Sequence, residues 1–336
     1  MKAIRVSLVL SAAFFAILQT ASAANAPNYG IVDRIKVPDG GFDYATVDPA
    51  TGHLLMARTD FTTVIDLKSQ AVSQLKSASR GHIALAVPGS NLLALTQRTG
   101  TVRLVDAAAD MPVADIPAGK NPDGATYDPV SKLVFAMSHD AGIATAINPV
   151  TRKPVGIVNV GGELEFPQSD GAGKVFVNIE SSAEIGVIDV KGLKLLGKYK
   201  LAGCEEPSGL AYVADGKLLI SACANGVAKV VQSETGKDVA TIPIGRGPDA
   251  VFLDPSRKLA FIPCGRDGVL EVISLADPAH ISVVQHVQTQ AGSRTGTIDL
   301  ATGRIYMMAS KPDPNAAPGA RGARLAGSYE VLVISP

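Results

Sequence analysis

DGATYDPVSKLVFA, residues 123–136, recurs almost position for position as DAVFLDPSRKLAFI at residues 249–262. The same frame fits residues 43–56, 82–95, 171–178, 208–221 and 297–308, some of them more loosely. The interval from Pro207 to Pro248 is 41 residues, as is the interval from Cys223 to Cys264. A fixed period of this length is typical of repeat architectures, and the set of seven copies predicts seven similar structural units.

Each repeat contains the signals of four short antiparallel strands. A β-rich run ends in a turn such as Asp-Pro-x-x-Lys, where Pro presets φ and Asp accepts the turn geometry. Two further β-rich runs follow, and a Thr-Gly or Thr-Arg turn then leads to a fourth. Four strands per repeat is the pattern of a propeller blade, whereas tandem β-sandwiches would not repeat one motif seven times at one spacing. We therefore predict an all-β, seven-bladed β-propeller.

The two ends of the repeat region predict how the ring closes. Seven repeats counted from about residue 43 leave Gly30–Val37 unassigned and the last blade one strand short. We predict that Gly30–Val37 supplies the outer strand of that blade, which removes an unpaired edge. The segment Lys311–Gly327 is rich in Pro and Gly and interrupts the last blade, so we interpret it as an irregular loop that is disordered; a functional loop is the alternative.

Residues 1–23 have the pattern of a cleaved export signal. Lys2 and Arg5 precede the uncharged apolar run Val6–Leu18, and Ala21–Ala23 supplies the small-x-small pattern of a cleavage site. The apolar run is too short to cross about 30 Å of hydrocarbon as a helix. We expect cleavage after residue 23, a single propeller domain over residues 24–336, and a periplasmic or secreted protein.

Charge and aromatic content disfavour nucleic acids and planar cofactors as ligands. The formal net charge is zero, and removing Lys2 and Arg5 would leave 0 − 2 = −2, so there is no basic surplus. The chain has no Trp and only 5% aromatic residues, which are the side chains that usually stack on bases and planar cofactors. We expect no organic cofactor, although a divalent cation remains an option.

The three cysteines, Cys204, Cys223 and Cys264, allow one disulfide in an oxidising compartment. Folding a hairpin about the turn at residues 214–217 brings Cys204 and Cys223 to one end of the same sheet. We predict that these two form the bridge and that Cys264 stays a thiol. Three reduced, buried cysteines are one alternative, and a soft-metal site of His139 with Cys223 and Cys264 is another.

The candidate site is one mouth of the central channel, where the loops that lead into the inner strands meet. Their ionisable residues are the candidate ligand-binding residues: Asp43, Arg80, His82, Asp123, Glu165, Glu205, Arg246, Asp249 and Arg294. In a structural interpretation the Asp side chains bind backbone N–H groups and the arginines pair with carboxylates. In a functional interpretation the carboxylates bind a divalent cation, or the arginines bind an anionic group.

Catalytic signatures are missing from the sequence. It contains no His-Glu-x-x-His, Gly-x-Ser-x-Gly or Walker pattern. We therefore predict a ligand-binding or protein-interaction scaffold without catalysis, which takes a small anionic ligand or a protein segment at the mouth. The alternative is a metal-dependent, lactonase-like hydrolase that activates water in the channel.

Four stretches, residues 164–178, 204–211, 244–249 and 294–299, resemble the YVTN-type β-propeller repeat proteins, in particular those called YncE-like. The similarity spans the chain after residue 23 and is weaker in the first two blades. The resemblance implies a seven-bladed fold and export but assigns little function, although one such protein binds single-stranded DNA. At residues 58–61 this chain reads Arg-Thr-Asp-Phe, where such proteins tend to have a His-containing turn.

Overall fold

The computed structural model describes residues 28–315 and 323–336. Over these residues the strands form seven antiparallel sheets of four strands each, and one 3₁₀ turn covers Glu180–Ser182. Neighbouring inner strands contact one another all the way round, and the inner strand of the seventh sheet contacts that of the first. The chain is a seven-bladed β-propeller, which confirms the fold predicted from the repeat.

Two strands of each blade lie nearest the channel. The inner strands are β2 (Phe42–Asp48), β6 (Gly81–Ala86), β10 (Pro122–Asp128), β14 (Leu164–Ser169), β18 (Pro207–Val213), β22 (Phe252–Asp254) and β26 (Gly296–Asp299). The second strands are β3 (His53–Arg58), β7 (Leu92–Gln97), β11 (Leu133–Ser138), β15 (Lys174–Ile179), β19 (Leu218–Cys223), β23 (Leu259–Cys264) and β27 (Arg304–Ala309).

The other two strands of each blade face away from the channel. The third strands are β4 (Thr62–Asp66), β8 (Thr101–Asp106), β12 (Ile143–Asn148), β16 (Glu184–Asp189), β20 (Val227–Gln232), β24 (Val269–Ser274) and β28 (Glu330–Ser335). The outer strands are β5 (Val72–Leu75), β9 (Met111–Pro117), β13 (Lys153–Asn159), β17 (Lys194–Lys200), β21 (Asp238–Pro243), β25 (Ser282–Gln288) and β1 (Gly30–Lys36).

The Asp-Pro turns end the inner strands as the sequence predicted. In the third blade the Asp128 carboxylate accepts the backbone N–H of Ser131 at 2.7 Å. In the sixth blade the Asp254 carboxylate accepts the backbone N–H of Arg257 at 3.0 Å. These bonds replace the strand pairing that is lost at the turn, so each inner strand reverses into the second strand at the same place.

The ring is closed by the first strand. β1 pairs antiparallel with β28, from Gly30 opposite Ser335 to Lys36 opposite Glu330, and so becomes the outer strand of the seventh blade. Ile35 of β1 is buried in the cluster that joins the seventh blade to the first. The predicted closure strand is therefore confirmed, and the third strand of the blade gains a partner along its exposed edge.

Arg58, at the end of β3, holds the segment that leads from β1 into the first blade. Its side chain is 1% exposed. Its guanidinium donates to the carbonyls of Pro38, Gly40 and Gly41 and to the Thr63 hydroxyl, at 2.7–3.0 Å. The residue at the position where the resemblance implied a His-containing turn therefore has a structural role next to the closure.

The hydrophobic core is divided among the blades. Seven clusters of buried aliphatic and aromatic side chains lie mainly between the faces of neighbouring blades, one for each contact of the ring. Sheets that pack face to face around an axis bury both faces, so the strands read as nearly continuous apolar runs. This arrangement leaves the polar residues at the strand ends free to build the two mouths.

The disulfide joins Cys204 to Cys223, with the Cα atoms 5.4 Å apart, as predicted. Pro207 lies opposite Cys223 in the sheet, so the hairpin brings the two cysteines together. Cys264 is a buried free thiol, and burial raises its pKa above the usual range. The soft-metal alternative is wrong, because the Cys223 sulfur is part of the bridge.

Two expectations fall partly or wholly outside the described residues. The export signal over residues 1–23 lies wholly outside the described residues, and the centre of the Lys311–Gly327 loop lies outside them too. The described ends of that loop meet in a single β-bridge between Pro312 and Arg324, and the Leu325 N–H donates to the Lys311 carbonyl at 2.9 Å. Within residues 28–315 and 323–336, no helix is long and apolar enough to cross a membrane.

Candidate functional site

A repeated irregularity positions the residues of the mouth. In the first five blades, the pairing between inner and second strand shifts after the first inner residue, which leaves a bulge of two residues. The first bulge residues are Asp43, His82, Asp123, Glu165 and Ser208. A β-bulge twists the strand locally and redirects its side chains, so four ionisable groups turn towards the channel at one level.

The first group of the mouth is formed by Asp43, His82 and Asp123 from three successive blades. His82 Nδ1 lies 2.7 Å from an Asp43 carboxylate oxygen and 3.4 Å from Asp123 Oδ1. His82 Nε2 lies 3.2 Å from the Asn121 side-chain oxygen. Arg98 reaches in from the end of β7, with its guanidinium 3.4 Å from the Asp43 carboxylate. We call Asp43, His82 and Asp123 the first triad.

Burial and charge act together on the first triad. Burial raises the pKa of Asp123 to about 6, and the Asp43 charge adds to this while His82 opposes it. Burial lowers the pKa of His82, but the Asp43 hydrogen bond and the charges of Asp123 and Asp43 outweigh it and raise that pKa overall. Asp123 Oδ1 is buried and accepts no hydrogen bond from a described residue, although His82 Nδ1 lies 3.4 Å from it. A buried carboxylate oxygen without a partner is costly unless a proton or a cation binds it.

The second group contains His139, Glu165 and Glu180 and lies beside the first. His139 Nε2 is 3.4 Å from a Glu165 oxygen and 3.2 Å from a Glu180 oxygen. Asp140 accepts from His139 Nδ1 at 2.9 Å and so orients the ring with Nε2 towards the two glutamates. We call His139, Glu165 and Glu180 the second triad.

The pKa of Glu165 is raised above the usual range of a carboxyl group. Burial raises its pKa to about 10, and the charges of Asp123, Asp249 and Glu180 add to the shift. Below it, the Tyr44 hydroxyl donates to Glu165 at 3.4 Å, and the Tyr44 ring packs on Phe166 with centroids 4.9 Å apart. Tyr44 and Phe166 also line a cavity of about 310 Å³ between the inner strands.

Asp249 and Arg294 form an ion pair on the far side of the mouth. Arg294 Nε lies 2.8 Å from an Asp249 carboxylate oxygen. Burial raises the pKa of Asp249 to about 7, the Arg294 charge opposes the shift, and the charges of Asp43 and Asp123 add to it. Asp123, Glu165 and Asp249 thus all have a raised pKa, because burial and neighbouring carboxylates disfavour their ionised forms.

The structure brings six of the nine candidate residues together: Asp43, His82, Asp123, Glu165, Asp249 and Arg294. The other three, Arg80, Glu205 and Arg246, are exposed. Arg246 is held by Asp267 at 2.7 Å, on the adjacent loop. None of the carboxylates of Asp43, Asp123 and Asp249 accepts a backbone N–H bond from a described residue, unlike the Asp-Pro turns, so the structural interpretation holds only for the arginine–carboxylate pairs.

Arg98 and Glu180 were not singled out by the sequence analysis, and His139 was considered only as a sulfur-site ligand. All three follow the second strands of consecutive blades and are spaced by 41 residues, the period of the repeat. Second-strand ends lie at the same level as inner-strand starts, because the two strands are antiparallel. A search for ionisable residues at equal positions of each blade would have found them.

Each triad can hold one metal ion. Within each, one ligand atom from each of the three side chains lies within 4.8 Å of the others. An imidazole with two carboxylates suits a borderline divalent ion such as zinc, and three protein ligands leave positions for water or a further ligand. The unpartnered Asp123 oxygen fits this donor set. The side chains of each triad are thus close enough together to act as ligands of one metal ion.

No family model matches the chain, and a comparison with curated protein sequences found no match. Solved structures match over most of its length. A chain of hydrazine synthase from Kuenenia stuttgartiensis is 15% identical with a TM-score of 0.70, covering 81% of this chain and 94% of that chain. A chain of the mitotic checkpoint complex is 11% identical with a TM-score of 0.76, covering 98% and 99%. U3-55K is 9% identical with a TM-score of 0.75, covering 90% and 98%. At these identities the likeness extends to the fold alone.

Proposed function

We propose that the protein is an exported, non-catalytic binding propeller of the YVTN type, whose channel mouth binds a divalent cation. Its export pattern at residues 1–23 supports the extracytoplasmic part of this proposal. The Cys204–Cys223 bridge is compatible with an oxidising compartment. The YVTN resemblance of residues 164–299 supports the class.

One observation carries the cation: two triads, each of one His and two carboxyl groups, adjoin each other at the mouth. Glu165, Asp123 and Asp249 all have a raised pKa, because burial and neighbouring carboxylates disfavour their ionised forms. A bound divalent cation reverses that penalty, since it replaces repulsion among carboxylates by attraction to one centre. An anion would instead increase the repulsion, so the expected anionic ligand does not suit the triads.

A protein segment remains compatible with the same mouth. Propellers of similar fold occur in assemblies, one of them in the mitotic checkpoint complex. The loops around the triads are exposed at Arg80, Glu205 and Arg246, so a partner could cover the mouth. We propose that such a partner would contribute a further ligand to the metal, because each triad leaves coordination positions open.

Metal analysis and titration calorimetry on the purified protein test whether the mouth binds a cation. We expect zinc or manganese to bind the chelator-treated protein at the mouth, and His82→Ala or His139→Ala to abolish one site each. The matched control is His280→Ala. His280 lies away from the mouth and is exposed, and its Nδ1 is 2.6 Å from an Asp277 carboxylate oxygen. Unchanged metal binding in both mouth variants, or equal loss in the control, would contradict the proposal.

The second candidate is a metal-dependent, lactonase-like hydrolase. The observation in its favour is that each triad supplies three protein ligands, which is the number that catalytic zinc sites use while leaving a position for water. The metal-loaded protein should then hydrolyse simple lactones, and Glu165→Gln should remove the activity. Stoichiometric metal without hydrolysis would favour the binding function.

A further inference from the structure

A second pocket lies on the same face of the ring, between the sixth and seventh blades. Its volume is about 530 Å³, and its walls include Gly247, Gly265, Arg266, Gly292, Arg294 and Arg324. Gly247 precedes the inner strand of the sixth blade and Arg294 that of the seventh, so the pocket adjoins the mouth. We call it the arginine pocket.

The arginine pocket has a surplus of positive charge. Arg294 is paired with Asp249. Within residues 28–315 and 323–336, no carboxylate lies within ion-pair distance of Arg266 or Arg324, and residues 1–27 and 316–322 contain no Asp or Glu. Asp267, next to Arg266 in sequence, is instead bound by Arg246 at 2.7 Å. Three guanidinium groups thus line one pocket with a single carboxylate among them.

Three glycines allow the arginines to take these positions. A Cβ atom at Gly265 would lie 2.6 Å from Arg294 Cβ, and one at Gly247 would lie 2.9 Å from Arg266 Cβ. A Cβ atom at Gly292 would lie 2.7 Å from a terminal nitrogen of Arg324. Any larger residue would therefore displace an arginine from the wall. The three glycines thus leave room for the arginine side chains along the pocket wall.

We propose that the arginine pocket binds an oxyanion, a phosphate or carboxylate group of a small ligand. Guanidinium groups bind both kinds of group through pairs of parallel N–H···O bonds. Clustered positive charge in a concave site also raises the local concentration of anions. This site is separate from the two triads and does not need the metal, although the Asp249–Arg294 pair connects the two regions.

The test is titration calorimetry on chelator-treated protein with two probes, inorganic phosphate and succinate. We expect saturable binding of at least one probe to the unaltered protein. Tighter binding of phosphate would assign the pocket to a phosphoryl group, and tighter binding of succinate to a carboxylate; either supports the site. Saturable binding of neither probe would overturn the proposal.

Variants locate the binding. Arg266→Ala with Arg324→Ala should weaken it about tenfold or more, because charge-assisted hydrogen bonds are lost. The matched control, Arg103→Ala, removes an arginine of the second blade that Asp115 already neutralises at 2.7 Å and that lies away from the pocket. Equal weakening in the control, or unchanged binding in the double variant with a native circular-dichroism spectrum, would place the anion elsewhere and refute the pocket. Because the metal is removed, failure here leaves the cation proposal intact.

Discussion

Replacing Arg58 by alanine should destabilise the ring more than removing any exposed arginine. Arg58 donates four hydrogen bonds, three of them to carbonyls of the segment between the closure strand and the first blade. Hydrogen bonds from a charged donor contribute about 1.5–3 kcal/mol each. The segment is partly exposed, so some of its carbonyls will find water in the variant. We expect a net loss of about 4 kcal/mol, which lies within the range for removing one partner of a buried charged group.

The assay is urea unfolding followed by far-ultraviolet circular dichroism, because the chain has no Trp for fluorescence. A loss of about 4 kcal/mol should lower the urea midpoint by more than about 1 M. The urea midpoint of Arg58→Lys should lie between those of Arg58→Ala and the unaltered protein, since one ammonium cannot span the positions that the planar guanidinium reaches. Arg246→Ala, which breaks an exposed ion pair, should leave the midpoint nearly unchanged. Equal midpoints for Arg58→Ala and Arg246→Ala would refute the structural role of Arg58.

Three further predictions follow from the closure, the bridge and the export pattern. A chain that begins at Pro38 lacks β1 and the buried side chains of Tyr29 and Ile35, so it should be about 5 kcal/mol less stable; an unchanged melting temperature would contradict the closure. The Cys204–Cys223 disulfide closes a loop with a sequence separation of 19 residues. Its reduction should lower the free energy of unfolding by about 3 kcal/mol and the melting temperature by about 5 °C. Alkylation of the unfolded chain without reductant should label Cys264 alone, and Cys264→Ala should respond to reductant like the unaltered protein. The protein released by osmotic shock should begin at Ala24, and retention of Lys2 would disprove cleavage.

The propeller fold was predictable because local sequence patterns within each repeat specify its strands and turns. The Asp-Pro turn at Asp128 and Asp254 fixes where each inner strand ends, and the 41-residue period fixes the number of blades. The closure strand and the Cys204–Cys223 bridge followed from counting strands and from the hairpin register. Each of these inferences depends on residues close in sequence or on positions that the repeat makes equivalent.

The site was predictable only in outline, because it depends on geometry between blades. The sequence located Asp43, His82 and Asp123 at one rim, but the bulges that turn them inwards leave no clear mark in it. Which arginine meets which carboxylate also depends on loop shape: Arg246 turns outwards to Asp267, while Arg294 turns towards Asp249. The sign of the ligand charge could therefore not be deduced from the list of rim residues.

The closure strand also sets the order of events during synthesis. In the folded ring β1 pairs with β28, which ends at Ser335, so the first strand of the propeller waits for the last. At about 5–20 residues per second the interval is about 15–60 s, far longer than hairpin formation at about 1–10 μs. During that time the edge of β1 is unpaired and open to other strands. A holding factor that covers residues 30–36 until residues 330–335 have followed would therefore raise the yield of folded protein.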